Sequence, residues 1–230
     1  DKFFSIISHD LRGPLGGVKG MIEILLDEKD AFTQKELHEF YRELHKSISV
    51  QSSLLEDLLE WSRIQSNRVE FLPKYLNCNS EVLGVFALLK QNALLKKIIL
   101  KHDVRADLLV FADSNMLQLV LRNLVSNAIK FSYENSEIIV TVNEINNSTV
   151  FCVSDNGVGI SKENIEKLFR LDVQLTTDGT KKEKGTGIGL ILCKEIVAKH
   201  HGNIWVESEV GKGSKFFFSF PVIEKETIQE

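Results

Sequence analysis

Cysteine, long apolar runs and clustered positive charge are all scarce in this chain, and each scarcity removes a class of protein. Cys78, Cys152 and Cys193 are widely spaced and form no CxxC pair, so neither a disulfide framework nor a zinc site is indicated, and a reducing, cytoplasmic compartment fits. The longest apolar stretches, such as Val82 to Leu89 and Leu108 to Ala112, fall far short of the roughly 20 residues that a bilayer-crossing helix needs. No secretory leader pattern opens the sequence, and any membrane anchor is expected only in segments upstream of it. Lys and Arg number 28 against 32 Asp and Glu, for a net charge of -4. No basic block exists that could neutralise a phosphate backbone, so a nucleic-acid partner is not expected. What the 230 residues do have is 43% hydrophobic content, ample for one large domain or two modest ones.

The hydrophobic pattern divides the chain near residue 70. Phe4, Ile7, Leu11, Leu15, Val18, Ile22 and Leu25 recur at three-four spacing and lay one narrow stripe down a helix. Charge interrupts at Asp27 to Phe32, and Thr33 with Glu36 three residues later reads as the capping box of a second helix. Leu37, Phe40, Leu44, Ile48, Leu55 and Leu58 carry that helix to about residue 66, giving an antiparallel hairpin. Two helices cannot enclose both stripes, whereas two hairpins close a four-helix bundle, so a homodimer is the expectation. Beyond Arg68 the texture becomes mixed. The pattern predicts helices over 82–96, 114–131 and 188–200, and strands over 137–143, 149–155, 204–207 and 216–220. Helices between antiparallel strands indicate an α+β sandwich.

Four short motifs carry chemistry. Asn123, Asn127 and Lys130 share one face of a helix whose other face holds Leu117, Leu121, Leu124 and Ala128; such a row suits a metal-phosphate ligand, or else is a solvated face. Asp155-Asn156-Gly157-Val158-Gly159-Ile160 follows an alternating strand and is either an ordinary hairpin turn or a place where a buried carboxylate accepts a hydrogen bond from an amine such as that of adenine. Gly185-Thr186-Gly187-Ile188-Gly189-Leu190 opens a helix, where free N–H groups favour phosphate, or serves as a hinge. It matches neither the Walker nor the dinucleotide glycine pattern. The preceding stretch, Thr176 to Lys184, has the composition of a lid.

The fourth motif, Ser8-His9-Asp10-Leu11-Arg12-Gly13-Pro14-Leu15, sits inside the first helix with His9 opposite the apolar stripe, and therefore exposed. Pro14 removes the hydrogen bond to the Asp10 carbonyl, which lets the helix bend just beyond His9. Asp10 is placed to accept the Nδ1–H and leave Nε2 as a nucleophile.

In this order the four motifs resemble the transmitter core of a sensor histidine kinase. Residues 1–70 resemble its dimerisation and histidine-phosphotransfer hairpin, with the H box at Ser8 to Leu15. Residues 71–230 resemble its ATP-binding domain of the Bergerat (GHKL) type. Asn123 to Phe131 is similar to the N box, Asp155 to Ile160 to the G1 box, Leu168-Phe169 to a reduced F box and Gly185 to Leu190 to the G2 box.

The resemblance implies ATP and Mg²⁺ as cofactors, with Asn127 the metal ligand, Asn123 and Lys130 on the phosphates and Asp155 on the adenine amine. Phe131, Gly157, Gly159, Lys184, Gly185, Thr186, Gly187, Gly189 and Leu190 complete the implied ATP site. His9 would be phosphorylated, with Asp10 beside it, and the phosphoryl group passed to an aspartate of a response regulator. ATP-hydrolysing relatives of the fold place a Glu where this chain has Asn123; an amide cannot serve as a base for water at neutral pH. Two alternatives stand beside the kinase: a GHKL-type ATPase and a catalytically silent conformational relay. Many relatives carry Thr or Asn at the position of Gly13, so the resemblance does not extend to their usual phosphatase chemistry.

Overall fold

A computed structural model describes residues 2–27, 32–65, 70–170, 177–181, 183, 185 and 187–223, with side chains of the first helix described from Leu15 onward and those of the second to Arg63. Helix α1 (Lys2–Asp27) and helix α2 (Gln34–Gln65) form the hairpin. The α2 start is the expected capping box. Thr33 N–H donates to Glu36 Oε2 at 2.8 Å, and Glu36 N–H donates to Thr33 Oγ1 at 3.3 Å, so each residue satisfies a backbone donor that the helix leaves unpaired. Helical backbone runs on through Gly13 and Pro14.

The remaining elements are β1 (Lys74–Asn77), α3 (Cys78–Leu95), β2 (Ile99–Val104), β3 (Leu109–Ala112), α4 (Ser114–Phe131), β4 (Glu137–Ile145), β5 (Ser148–Asp155), α5 (Lys162–Ile165), α6 (Gly189–Lys199), β6 (Asn203–Glu209) and β7 (Gly213–Pro221). β1 and β3 pair as a small antiparallel ribbon, and the main sheet has the order β2-β4-β5-β7-β6. Alternation on β5 turns Phe151 and Val153 inward, and β7 adds Phe216, Phe218 and Phe220. Helices α3, α4 and α6 seal these residues on one face, and Phe151 stacks on Phe218 at 4.6 Å.

The structure departs from the sequence pattern in places with clear physical causes. The helix expected over 82–96 begins at Cys78, because Asn77 accepts the Ser80 N–H and caps it four residues early. Strands β2 and β3 were not anticipated, since the former alternates poorly and the latter is only Leu109–Ala112. The sheet is not wholly antiparallel, because β2 pairs with β4 in parallel. The chain between them crosses over through α4, the connection that a parallel pair requires.

Candidate functional site

Helix α4 supplies the centre of the site. Asp113 caps it by accepting the Met116 N–H at 3.1 Å, and Leu117, Leu121, Leu124 and Ala128 are buried in the core. The opposite face therefore turns Asn123, Asn127 and Lys130 outward, where all three line a cavity of about 430 Å³. That volume falls in the range of small-molecule sites.

One end of the cavity is built around the last residue of β5. Asp155 is buried, and its Oδ1 accepts the N–H groups of Gly157 at 2.8 Å and Ser214 at 3.3 Å. Desolvation pushes the carboxyl above its usual range, opposed by those two backbone donors. The other oxygen takes no donor among the described residues, so an amine entering the cavity would meet an acceptor that water cannot easily reach. Gly157 lies behind the wall. A Cβ there would sit 2.3 Å from the Phe131 carbonyl oxygen, and the absence of one lets Val158 N–H reach that carbonyl at 3.2 Å.

The opposite end is where α6 begins. Gly189 abuts Asn123, and a Cβ would come within 2.5 Å of its Oδ1. Asn123 donates through Nδ2 to the Leu119 carbonyl at 3.1 Å, which leaves its oxygen toward α6. The Asn127 side chain has no protein hydrogen bond among the described residues. Lys130 donates to the Thr177 carbonyl at 3.2 Å and lies 4.5 Å from the centre of the Phe131 ring; burial lowers its ammonium below the usual lysine range.

Of the residues expected from sequence, Asn123, Asn127, Lys130, Phe131, Asp155, Gly159, Gly185, Gly187, Gly189 and Leu190 line one cavity. Lys184 and Thr186 lie outside the described residues, as do the side chains of His9 and Asp10. Sequence reasoning missed Ile160, Asn164, Val210, Ser214 and Phe216 as wall residues. Ser214 is placed by register, opposite Asp155 on the β5–β7 pair, a long-range pairing that local sequence does not encode.

Asn123, Asn127 and Lys130 also line a second cleft of about 350 Å³, whose far wall is Glu56, Asp57 and Glu60 of α2. Beside it, Leu54 and Leu58 of the hairpin pack on Ile188, just ahead of α6. The polar row of α4 thus stands between a mainly apolar cavity and a more polar cleft that faces the hairpin.

Comparisons with known proteins agree across both regions. Residues 1–67 match the family described as His Kinase A (phospho-acceptor) domain. Residues 112–224 match the family described as Histidine kinase-, DNA gyrase B-, and HSP90-like ATPase. The chain is 31% identical over 96% of its length to Cyanobacterial phytochrome A of Nostoc sp., covering 28% of that protein. It is 34% identical over 98% of its length to the Adaptive-response sensory kinase SasA of Prochlorococcus marinus, covering 58% of it. The chain therefore spans less than two thirds of these curated relatives. Among solved structures, the catalytic domain of histidine kinase ThkA is 32% identical, with a TM-score of 0.57, over 66% of this chain and 98% of that one. ThkA in complex with the response regulator protein TrrA superposes with a TM-score of 0.77 at 25% identity, over 96% of this chain and 61% of that one.

Proposed function

The chain belongs to the sensor histidine kinase family, as a transmitter core, and we propose that it phosphorylates its own His9 from ATP and passes the phosphoryl group to an aspartate of a response-regulator receiver domain. The observation that carries the reading is the row Asn123, Asn127 and Lys130 shared between the nucleotide-sized cavity and the cleft facing the hairpin. A nucleotide whose adenine meets Asp155 would present its terminal phosphate at that row, on the side from which an imidazole must approach.

In this reading residues 1–70 are the dimerisation and phosphotransfer domain and residues 71–230 the ATP-binding domain. Asp155 accepts the adenine amine. Asn123 and Lys130 hold the phosphates, and the N–H groups at the start of α6 add donors to them. Asn127 fits a hard cation such as Mg²⁺, because its amide oxygen is uncommitted among the described residues and hard cations take oxygen ligands together with substrate phosphates. When bound, Mg²⁺ offsets charge on the phosphates.

His9 attacks the terminal phosphorus through a ring nitrogen. The bond from that phosphorus to its bridging oxygen breaks, ADP leaves, and Asp10 holds the imidazole in the required tautomer. Asn123 gives water no base, so the nucleotide persists until His9 arrives. The exposed Leu15, Ile22, Ile48 and Leu55 of the hairpin are covered by a second copy in a four-helix bundle.

Incubation with ATP labelled at the terminal phosphate tests the proposal. An acid-labile, base-stable label is expected on the native chain and none on His9→Gln, with nucleotide affinity unchanged. Labelling that persists in His9→Gln removes His9 from the reaction.

A further inference from the structure

Lys96 is the one buried lysine or arginine among the described residues, with a side chain only 4% exposed. It follows α3, and its ammonium donates to the carbonyls of Ile129 at 2.9 Å and Lys130 at 2.7 Å. These are carbonyls that the end of α4 leaves without intrahelical partners, and a cation there also suits the helix dipole. The same Nζ reaches Thr180 Oγ1 at 2.8 Å and pairs with Glu183 at 2.6 Å. Thr180 in turn donates from its N–H to the Lys130 carbonyl at 3.1 Å and from Oγ1 to the Ser132 carbonyl at 2.7 Å.

Capping α4 would not by itself require a charge. A neutral donor or water satisfies carbonyls, whereas an ammonium removed from water needs an opposite charge to offset its desolvation. The carboxylate that supplies it comes not from the core but from the stretch ahead of the G2 box. Desolvation pushes the Glu183 carboxyl up, yet the Lys96 hydrogen bond, backbone donors and the Lys96 charge together hold it below the usual range. If Glu183 swung away, a buried cation would be left with neutral acceptors alone, so the position of Glu183 is tied to the fold of the sandwich. The stretch also meets the phosphate end of the cavity. Thr177 accepts from the Lys130 ammonium at 3.2 Å, and Gly185 abuts that ammonium.

We propose that Lys96 is a positioning residue for the phosphoryl donor: by gripping Thr180 and Glu183 against the last turn of α4, it sets where Lys130 and Gly185 stand along the phosphates. The inference rests on the ATP reading above. It touches the phosphate end and not the adenine end, so it concerns the terminal phosphate more than the nucleotide as a whole.

The test compares ATP with ADP on the native chain, Glu183→Gln, Lys96→Met and the double variant, by calorimetry and by autophosphorylation kinetics. Glu183→Gln leaves the caps on α4 in place and is the variant expected to keep its fold. It should weaken ATP by about threefold to tenfold, since a partly exposed charged hydrogen bond is lost, with ADP affinity held and the melting temperature lowered as Lys96 loses its counter-charge. The KM for ATP rises accordingly. Lys96→Met should shift the ATP to ADP ratio in the same direction, and the double variant should be no worse than Lys96→Met alone, as two members of one interaction behave. An unshifted ratio in Glu183→Gln, or ADP weakened as much as ATP, overturns the inference while leaving the ATP reading intact. A native chain that binds neither nucleotide overturns both.

Discussion

Beneath α4 and α6, Phe151, Phe218 and Phe220 have no solvent exposure at all, whereas Leu15, Ile22, Ile48 and Leu55 of the hairpin, on helices just as periodic, are 43% to 52% exposed. The sandwich encloses its core because a sheet and three helices offer one another complementary apolar faces. The hairpin has only two stripes and one contact between them, so its remaining apolar surface needs a partner. The difference separates a region that is complete within one chain from a region that leaves apolar surface open to a partner.

The largest effect expected from this contrast is in the closed core. Phe218→Ala should cost about 3–5 kcal/mol of sandwich stability, the range for emptying a fully buried aromatic position, read from the denaturant midpoint; a loss typical of a surface position would mean that the core is not closed. Next in size, Asp155→Asn should weaken nucleotide about 10- to 100-fold through loss of a charged acceptor. The same change should leave the nucleotide-free sandwich as stable or more stable near neutral pH. The folded pKa of Asp155 is raised by burial, so its contribution is greatest below the ordinary aspartate value and falls as pH rises through the folded one. A drop in both affinity and melting temperature would show that Asp155 is structural first.

Ile48→Glu tests the open region: it should raise the dimer dissociation constant by about tenfold or more, as burying an unpaired charge does, with ATP affinity untouched. Equal sedimentation of variant and native chains would remove this residue from the interface.

The smallest effect is acid sensitivity confined to the sandwich. His200 accepts the Asp113 N–H at 3.1 Å and sits 2.9 Å from the Ile196 carbonyl through its other nitrogen. Burial lowers its pKa, partly opposed by the Ile196 bond and Asp113. Stability tied to the neutral ring is full above the ordinary histidine value and declines as pH falls from it toward the folded value. A melting temperature that stays flat on acidification through that window, or one that falls equally in His200→Gln, would dismiss the effect.

Local chemistry made much of this legible. Helix α4 occupies Ser114–Phe131 as its periodicity predicts, because its polar row and apolar stripe are both written at helical spacing. Thr33 and Glu36 announce α2 for the same reason: a cap is a contact three residues apart. Strand β3, at four residues with no alternation, carried no such signal. Ser214 could not be assigned to the site either, since it enters only through pairing with β5.

The amino-acid order by itself determined the two-part plan, the hairpin stripe and the polar and glycine motifs, since each depends on neighbours within about one helical turn or one strand. Only the tertiary structure decided that β2 runs parallel to β4, that Asp155 and Ser214 share a cavity wall, and that Lys96 meets Glu183. Those pairings join residues tens of positions apart. Their energy comes from bringing both partners together at one point in space, a condition that no spacing along the chain encodes.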